Sequence, residues 1–255
     1  MLFVKFTVLT DIGKKRTLNE DRVIYLEHHS KVKLAVLADG MGGHNAGDVA
    51  SEMAIQYFQH VFLNTEESTF ESSERTQSWL TEHVSKLNYN MYQHSLLHEQ
   101  CQGMGTTLIV TVIRGNQLLI SHVGDSRLYT FTNNAYKLIT KDHTYVNMLL
   151  ELGQINEEEA REHPRKNAII KAVGTEPTIQ PDFYEVTIEP PMYVLICTDG
   201  LSNKVSEGEI AAILTLPSPI ETKGKDLIQL ANDSGGEDNI SLILMSFSEE
   251  EVSSC

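Results

Sequence analysis

Aspartates recur where apolar runs of this chain stop. LAVLADG delivers Asp39 followed by Gly40, LLISHVGDS delivers Asp125, and YVLICTDG delivers Asp199 followed by Gly200. Two more acidic groups stand where such runs begin. Asn19-Glu20-Asp21 precedes RVIYLEH, and GGEDN, which contains Asp238, precedes ISLILMSF. In an antiparallel pair the end of one strand lies beside the start of its neighbour, so these acids gather along one sheet edge. If the chain reverses near His29–Lys31, Asp21 and Asp39 are about equally far from the turn and face each other. A reversal at Arg114–Gln117 sets Gly105–Thr106 opposite Gly124–Asp125, and pairing of 192–198 with 239–247 sets Asp199 beside Asp238.

So many carboxylates in one place cannot all stay ionised unless cations bind among them, because each raises the pKa of the others. The donors are carboxylate or carbonyl oxygens, with no HExxH and no paired CxxC, so Mg²⁺ or Mn²⁺ is expected over zinc. A single Asp-Gly or Asn-Asp is as well explained by a turn. Recurrence at strand ends is not.

The elements that must position these acids are mostly strands. Runs rich in Val, Ile, Leu and Thr predict strands at 2–9, 22–28, 32–38, 106–113, 117–123, 126–131, 136–140, 182–188, 192–198 and 239–247. Helical spacing of apolar residues marks 47–63 and 76–99, with shorter helices at 143–152, 156–163, 206–214 and 223–233. Strands in short-turn pairs with grouped helices predict an α+β fold of antiparallel sheets covered by helices. The absence of a Gly/Ser/Pro-rich linker favours a single domain over 1–255, and the polar stretch 142–175 reads as an inserted flap.

A formal net charge of -15 disfavours nucleic acid and anionic membrane as partners. No apolar run approaches the roughly 20 residues that span a bilayer, so no membrane insertion is expected. The opening MLFVKFTVLT alternates like a strand and carries Lys5, unlike a signal segment. Three scattered cysteines, Cys101, Cys197 and Cys255, suggest neither a disulfide framework nor a zinc site, and the cytoplasm is the expected compartment.

Eight motifs in order, RTLNEDR, LADGMGGHNAGDVAS, GMGTT, HVGDSR, KDHT, HPRKNAIIKAVGT, CTDGLSN and GGEDNISL, resemble the protein phosphatase 2C family in its compact bacterial form. The resemblance implies a central β-sandwich of two antiparallel sheets flanked by helices, with metals at one end. It implies hydrolysis of phosphoserine and phosphothreonine in proteins by a water or hydroxide held between two divalent ions, without a covalent intermediate. By the same resemblance Asp39 bridges two ions. The Gly40 carbonyl and Glu20 complete one, Asp199 and Asp238 the other, and Asp21 lies just outside. Asp125 with Asp199 would hold the third, weaker ion of bacterial members. Arg16 would clamp the substrate phosphate, its plainer alternative being a solvated surface arginine, and His44 would protonate the leaving alkoxide, its alternative being a hydrogen-bonded non-catalytic histidine. Implied partners are phosphorylated proteins, among them a membrane Ser/Thr kinase, with a monomer as the default. Two other readings stay open: a two-metal phosphodiesterase or nucleotidyl transferase, and a non-catalytic relative that binds phosphoproteins.

Overall fold

The computed structural model describes residues 2–43, 46–132 and 135–249. Among these described residues eleven strands form two antiparallel sheets. They are β1 (Leu2–Asp11), β2 (Asp21–Glu27), β3 (Lys33–Met41), β4 (Gly105–Thr106), β5 (Leu108–Arg114), β6 (Gln117–Val123), β7 (Arg127–Phe131), β8 (Tyr136–Leu138), β9 (Asp182–Thr187), β10 (Met192–Cys197) and β11 (Ile240–Glu249). One sheet runs β1-β11-β10-β7-β8; the other runs β2-β3-β5-β6-β9, with β4 beside β3. The helices are α1 (Ala46–Leu63), α2 (Ser73–Leu97), α3 (Tyr145–Glu151), α4 (Glu157–Glu162), α5 (Asp199–Ser202), α6 (Glu207–Thr215) and α7 (Ile220–Asp233).

Strand alternation explains the layering. On β3, Leu34, Val36 and Ala38 pack with α1 and α2, while Ala35 and Leu37 turn to the opposite sheet. On β11, Ile243, Met245 and Phe247 meet that same inner layer, while Ile240, Leu242 and Leu244 pack with α6 and α7. Successive side chains point to opposite faces, so a strand buried on both faces must be apolar throughout. This is why the central strands read as continuous hydrophobic runs. The result is a helix-sheet-sheet-helix sandwich.

The β2–β3 ladder pairs Asp21 with Asp39, as the turn count expects. The turn is tight: His28 N–H donates to the Val32 carbonyl at 2.8 Å, and Lys31 adopts a positive φ of 66°. The second count needs correction. The β5–β6 ladder stops at Leu108 and Val123, and Thr106 bridges Val173 rather than facing Gly124–Asp125. Gly124, at φ 108°, turns the chain out of the ladder over Thr107, where a Cβ would stand 2.6 Å from the Thr107 Cβ. The stretch 142–175 enters and leaves between strand groups and carries α3 and α4, the latter opened by an Asn156/Glu159 capping box. Its two ends meet in a bridge of Thr144 with Ile169, and a second bridge ties Val173 near its exit to Thr106 on β4.

Candidate active site

At one end of the inner layer the alternation continues but the residue types change. Asp39 follows Ala35 and Leu37 on β3, Asp21 precedes Val23 and Tyr25 on β2, Thr198 follows Val194 and Ile196, and Ser241 precedes Ile243. Two hydroxyl bonds cross between the sheets there. Thr198 Oγ1 donates to Asp21 Oδ2 at 2.9 Å, and Thr107 and Ser126 hydroxyls meet at 2.8 Å. Asp39 is fixed at its backbone: its N–H donates to Thr107 Oγ1 (3.0 Å), and its carbonyl accepts from Thr107 N (2.8 Å) and Thr106 Oγ1 (2.9 Å).

The carboxylates feel one another. Burial raises the Asp39 carboxyl well above its ordinary range, and the charges of Asp21, Asp199, Asp125 and Asp238 add to the shift. Asp21, only 1% exposed, is pushed up to about 7, chiefly by burial and against the hydrogen bonds from Ser241 and Thr198. Burial followed by Asp199 raises Asp125 to about 7, and burial followed by Asp238 raises Asp199 to about 6. Asp21 Oδ1 and Asp125 Oδ1 are buried without a hydrogen-bond partner.

A second donor group sits beside them at the start of α1. A Cβ on Gly47 would lie 2.4 Å from Glu20 Oε1 and 2.7 Å from the Gly40 carbonyl oxygen, so glycine leaves these two oxygens a common open space. Gly40 N–H donates to the Glu20 carbonyl at 3.1 Å, locking the pair together. Arg16 lies on the rim, with Nη2 2.9 Å from Asp238 Oδ2 and Nη1 3.8 Å from Glu20 Oε2.

The donor set fits hard divalent cations: all oxygen, mutually repelled, with two orphaned carboxylate oxygens aimed into the protein. Among the described residues no three His, Cys, Asp or Glu side chains converge closely enough to form a ready-made metal site. Mg²⁺-type ions keep several waters, so their protein ligands need not close tightly around them. The structure thus brings together Glu20, Asp21, Asp39, Gly40, Asp125, Asp199, Asp238 and Arg16. His44 lies outside the described residues.

Several supporting residues were not singled out by sequence. Asn239 accepts from Glu20 N (2.8 Å) and donates through Nδ2 to the carbonyls of Ile12 (2.9 Å) and Leu18 (3.0 Å), tying the 12–20 loop to the start of β11. Arg22 donates to the carbonyls of Asn19 and Asp21 and pairs with Asp48 and Glu52 on α1. The available signal for Thr107, Thr198 and Ser241 was hydroxyls replacing apolar residues in register. Beside Asp199 and Asp238 opens a cleft of about 850 Å³, walled on the other side by α3, α4 and Lys166–Asn167.

Comparison with known proteins gives a consistent picture. A family model described as protein phosphatase 2C matches residues 13–244. The chain is 39% identical over 249 residues to protein phosphatase PhpP of Streptococcus pneumoniae, covering 98% of this chain and 100% of that one. It resembles the solved serine/threonine phosphatase of S. agalactiae with a TM-score of 0.91 at 36% identity, covering 97% of this chain and 100% of the other. The catalytic domain of the phosphatase PstP, solved in complex with 2 manganese ions, matches with a TM-score of 0.83 at 30% identity, covering 98% and 100%.

Proposed function

The chain belongs to the protein phosphatase 2C family and is a metal-dependent serine/threonine protein phosphatase, and from that premise we propose how its residues divide the work. Asp39 would be the shared ligand of two divalent ions, Mn²⁺ or Mg²⁺. The Gly40 carbonyl and Glu20 would serve one, Asp199 and Asp238 the other, Asp21 would stand behind them, and Asp125 with Asp199 would hold a third, weaker ion. When bound, the ions supply Lewis acidity and a water acidic enough to attack phosphorus near neutral pH.

The chain's own groups do the rest. Arg16 presents a planar donor fork suited to phosphate oxygens, at the rim where a phosphoryl group would enter. Thr107 and Thr198 hold Asp39 and Asp21 in place so that little rearrangement accompanies the reaction. His44 protonates the departing Ser or Thr alkoxide, a step that contributes roughly 10²–10⁴-fold in such reactions. The cleft beside Asp199 receives the polypeptide around the phosphorylated residue, with the flap 142–175 as its far wall. Its substrates are phosphorylated proteins, among them a membrane Ser/Thr kinase met in the cytoplasm by a monomeric, single-domain enzyme.

The observation that carries this reading is the gathering of Asp39, Asp21, Asp125, Asp199 and Asp238 at one end of the sandwich, in a chain whose residues 13–244 match the protein phosphatase 2C family. The test is phosphate release with Mn²⁺ from a phosphothreonine peptide, set against bis(p-nitrophenyl) phosphate and a nucleoside triphosphate. Preference for the peptide is expected. Faster turnover of the diester or the nucleotide would favour the phosphodiesterase or nucleotidyl-transferase reading, and binding without turnover would favour the non-catalytic one.

A further inference from the structure

The two ends of the 142–175 segment meet beside Asp125, and one side chain touches both. His143 N–H donates to the Gly124 carbonyl at 2.8 Å, while its ring Nδ1 accepts the Gly124 N–H at 3.0 Å. A single residue therefore closes on both polar groups of the glycine that precedes Asp125. With Nδ1 accepting, the ring proton sits on Nε2, which faces Asp182 Oδ2 on β9 at 3.3 Å. Lys171, at the segment's other end, donates to Asp182 Oδ1 at 3.0 Å and stands 3.4 Å from the same Nε2. The His143 carbonyl accepts from Ile170 N–H at 2.9 Å, so the backbone joins entry to exit directly while the His143 ring and Lys171 are joined through Asp182.

The surroundings keep this ring neutral and oriented. Burial and then the Lys171 ammonium hold the His143 imidazole below its ordinary pKa, with Asp182 opposing them. His122 stacks on it with ring centroids 5.0 Å apart, and its own Nε2 lies 3.0 Å from the Ser126 carbonyl. The two rings thus bracket the Gly124–Ser126 turn. Gly124 needs such bracketing, because its φ of 108° is open to glycine alone and the next residue carries a buried, unpartnered carboxylate oxygen.

We propose that His143 is a positioning residue for the phosphatase reaction: by holding the Gly124 peptide and both ends of the 142–175 segment at once, it sets the Asp125 carboxylate and the segment beside the cleft as one unit. The inference rests on the reading above, in which Asp125 is an ion ligand. It gives the KDHT histidine a role distinct from contact with substrate, and it makes ion binding at Asp125 and the placement of α3 and α4 interdependent.

Two substitutions separate this from a merely structural role. In His143→Asn the amide oxygen falls where Nδ1 stands and can accept the Gly124 N–H. In His143→Gln the amide falls near Nε2, keeping the Asp182 contact and losing the Gly124 one. Mn²⁺ binding to the full chain is followed by electron paramagnetic resonance of the free ion, and amide exchange of a peptide containing Gly124 is followed in the metal-free protein. For His143→Gln, the weakest Mn²⁺ site is expected to lose roughly 10- to 100-fold in affinity, as loss of a supporting partner does, with faster exchange at Gly124 and a raised KM for a phosphopeptide. His143→Asn is expected to stay close to wild type in all three. If His143→Gln binds Mn²⁺ like wild type, or if both variants are impaired alike, the inference is wrong. Should His143→Gln fail to fold, a His143→Asn protein that folds and binds Mn²⁺ normally carries the same conclusion, and one that does not overturns it. Asp39→Asn run alongside separates the two levels: unchanged tight Mn²⁺ binding in that variant would remove the reading of the site itself, independently of His143.

Discussion

The carboxylates of the inner layer and those of the rim are held and neutralised in different ways. Asp21 and Asp39 sit on paired strands, in a register set by a tight turn, and their backbones and oxygens are bound by hydroxyls from both sheets. Glu20 and Asp238 sit on loops that a single side chain, Asn239, ties together. The rim has its own cation in Arg16, bonded to Asp238 and near Glu20. For the inner group, burial heads the causes of every raised carboxyl. Glu20 on the rim is raised as well, by burial first, but there the Arg16 guanidinium opposes the shift. The inner group is held from both sheets with no cation of its own among its described hydrogen-bond partners, while the rim carries one, a division suited to ions bound inside and a phosphate received outside.

The largest effect is expected at Asp39. Asp39→Asn should lower Mn²⁺-dependent phosphate release by more than about 100-fold, beyond what loss of a supporting partner alone causes, while raising the melting temperature of the metal-free protein by removing one repelled carboxylate. Arg16→Ala should cost roughly 10- to 100-fold in kcat/KM on a phosphopeptide, the equivalent of about 1.5–3 kcal/mol for hydrogen bonds to a charged group. Its melting temperature should not change, because the side chain is 46% exposed. Asn239→Ala should act on stability, costing about 1–3 kcal/mol by leaving the Glu20 N–H and the Ile12 and Leu18 carbonyls without their partner. Thermal melts with and without Mn²⁺ would register it.

The smallest effect is on pH dependence. In the metal-free protein Asp21 and Asp125 titrate near 7 and Asp199 near 6, all above the ordinary aspartate value. A carboxyl raised by folding binds more protons folded than unfolded, so its contribution is full below about pH 4 and is lost as pH rises through 6 to 7. Stabilisation by Mn²⁺ should therefore be larger at pH 7.5 than at pH 5.5, by a few degrees in the melting temperature given about 2–4 °C per kcal/mol for a chain of this size. Equal stabilisation at both values would mean that these carboxylates do not repel one another as the geometry requires.

Much of this was legible in the sequence because the information was local. The Asp21–Asp39 pairing follows from counting residues about a short turn, and the Asp199–Asp238 proximity from pairing two long apolar runs. The count about 114–117 failed past Val123 because Gly124 leaves the ladder and Val173, far along the chain, takes the place beside Thr106. The same tertiary origin hid Asn239, Arg22 and Thr198, whose partners lie in other elements; Asn239 and Glu20 are 219 positions apart. The short helix α5, which begins at Asp199, was also missed, since four residues are too few for a periodic signal. His143 lies inside the KDHT motif, yet its two contacts with Gly124 depend on how the segment folds back onto the end of β6.

The central claim, that the polar end of the sandwich exists to hold cations, is tested most directly by crystals grown with Mn²⁺ and an anomalous difference map at the manganese edge. Two peaks are predicted sharing the Asp39 carboxylate, one also bound by Glu20 and the Gly40 carbonyl, the other by Asp199 and Asp238. No peak at the Asp39 carboxylate, or an Arg16 still bound to Asp238 with no ion beside either residue, would contradict the account.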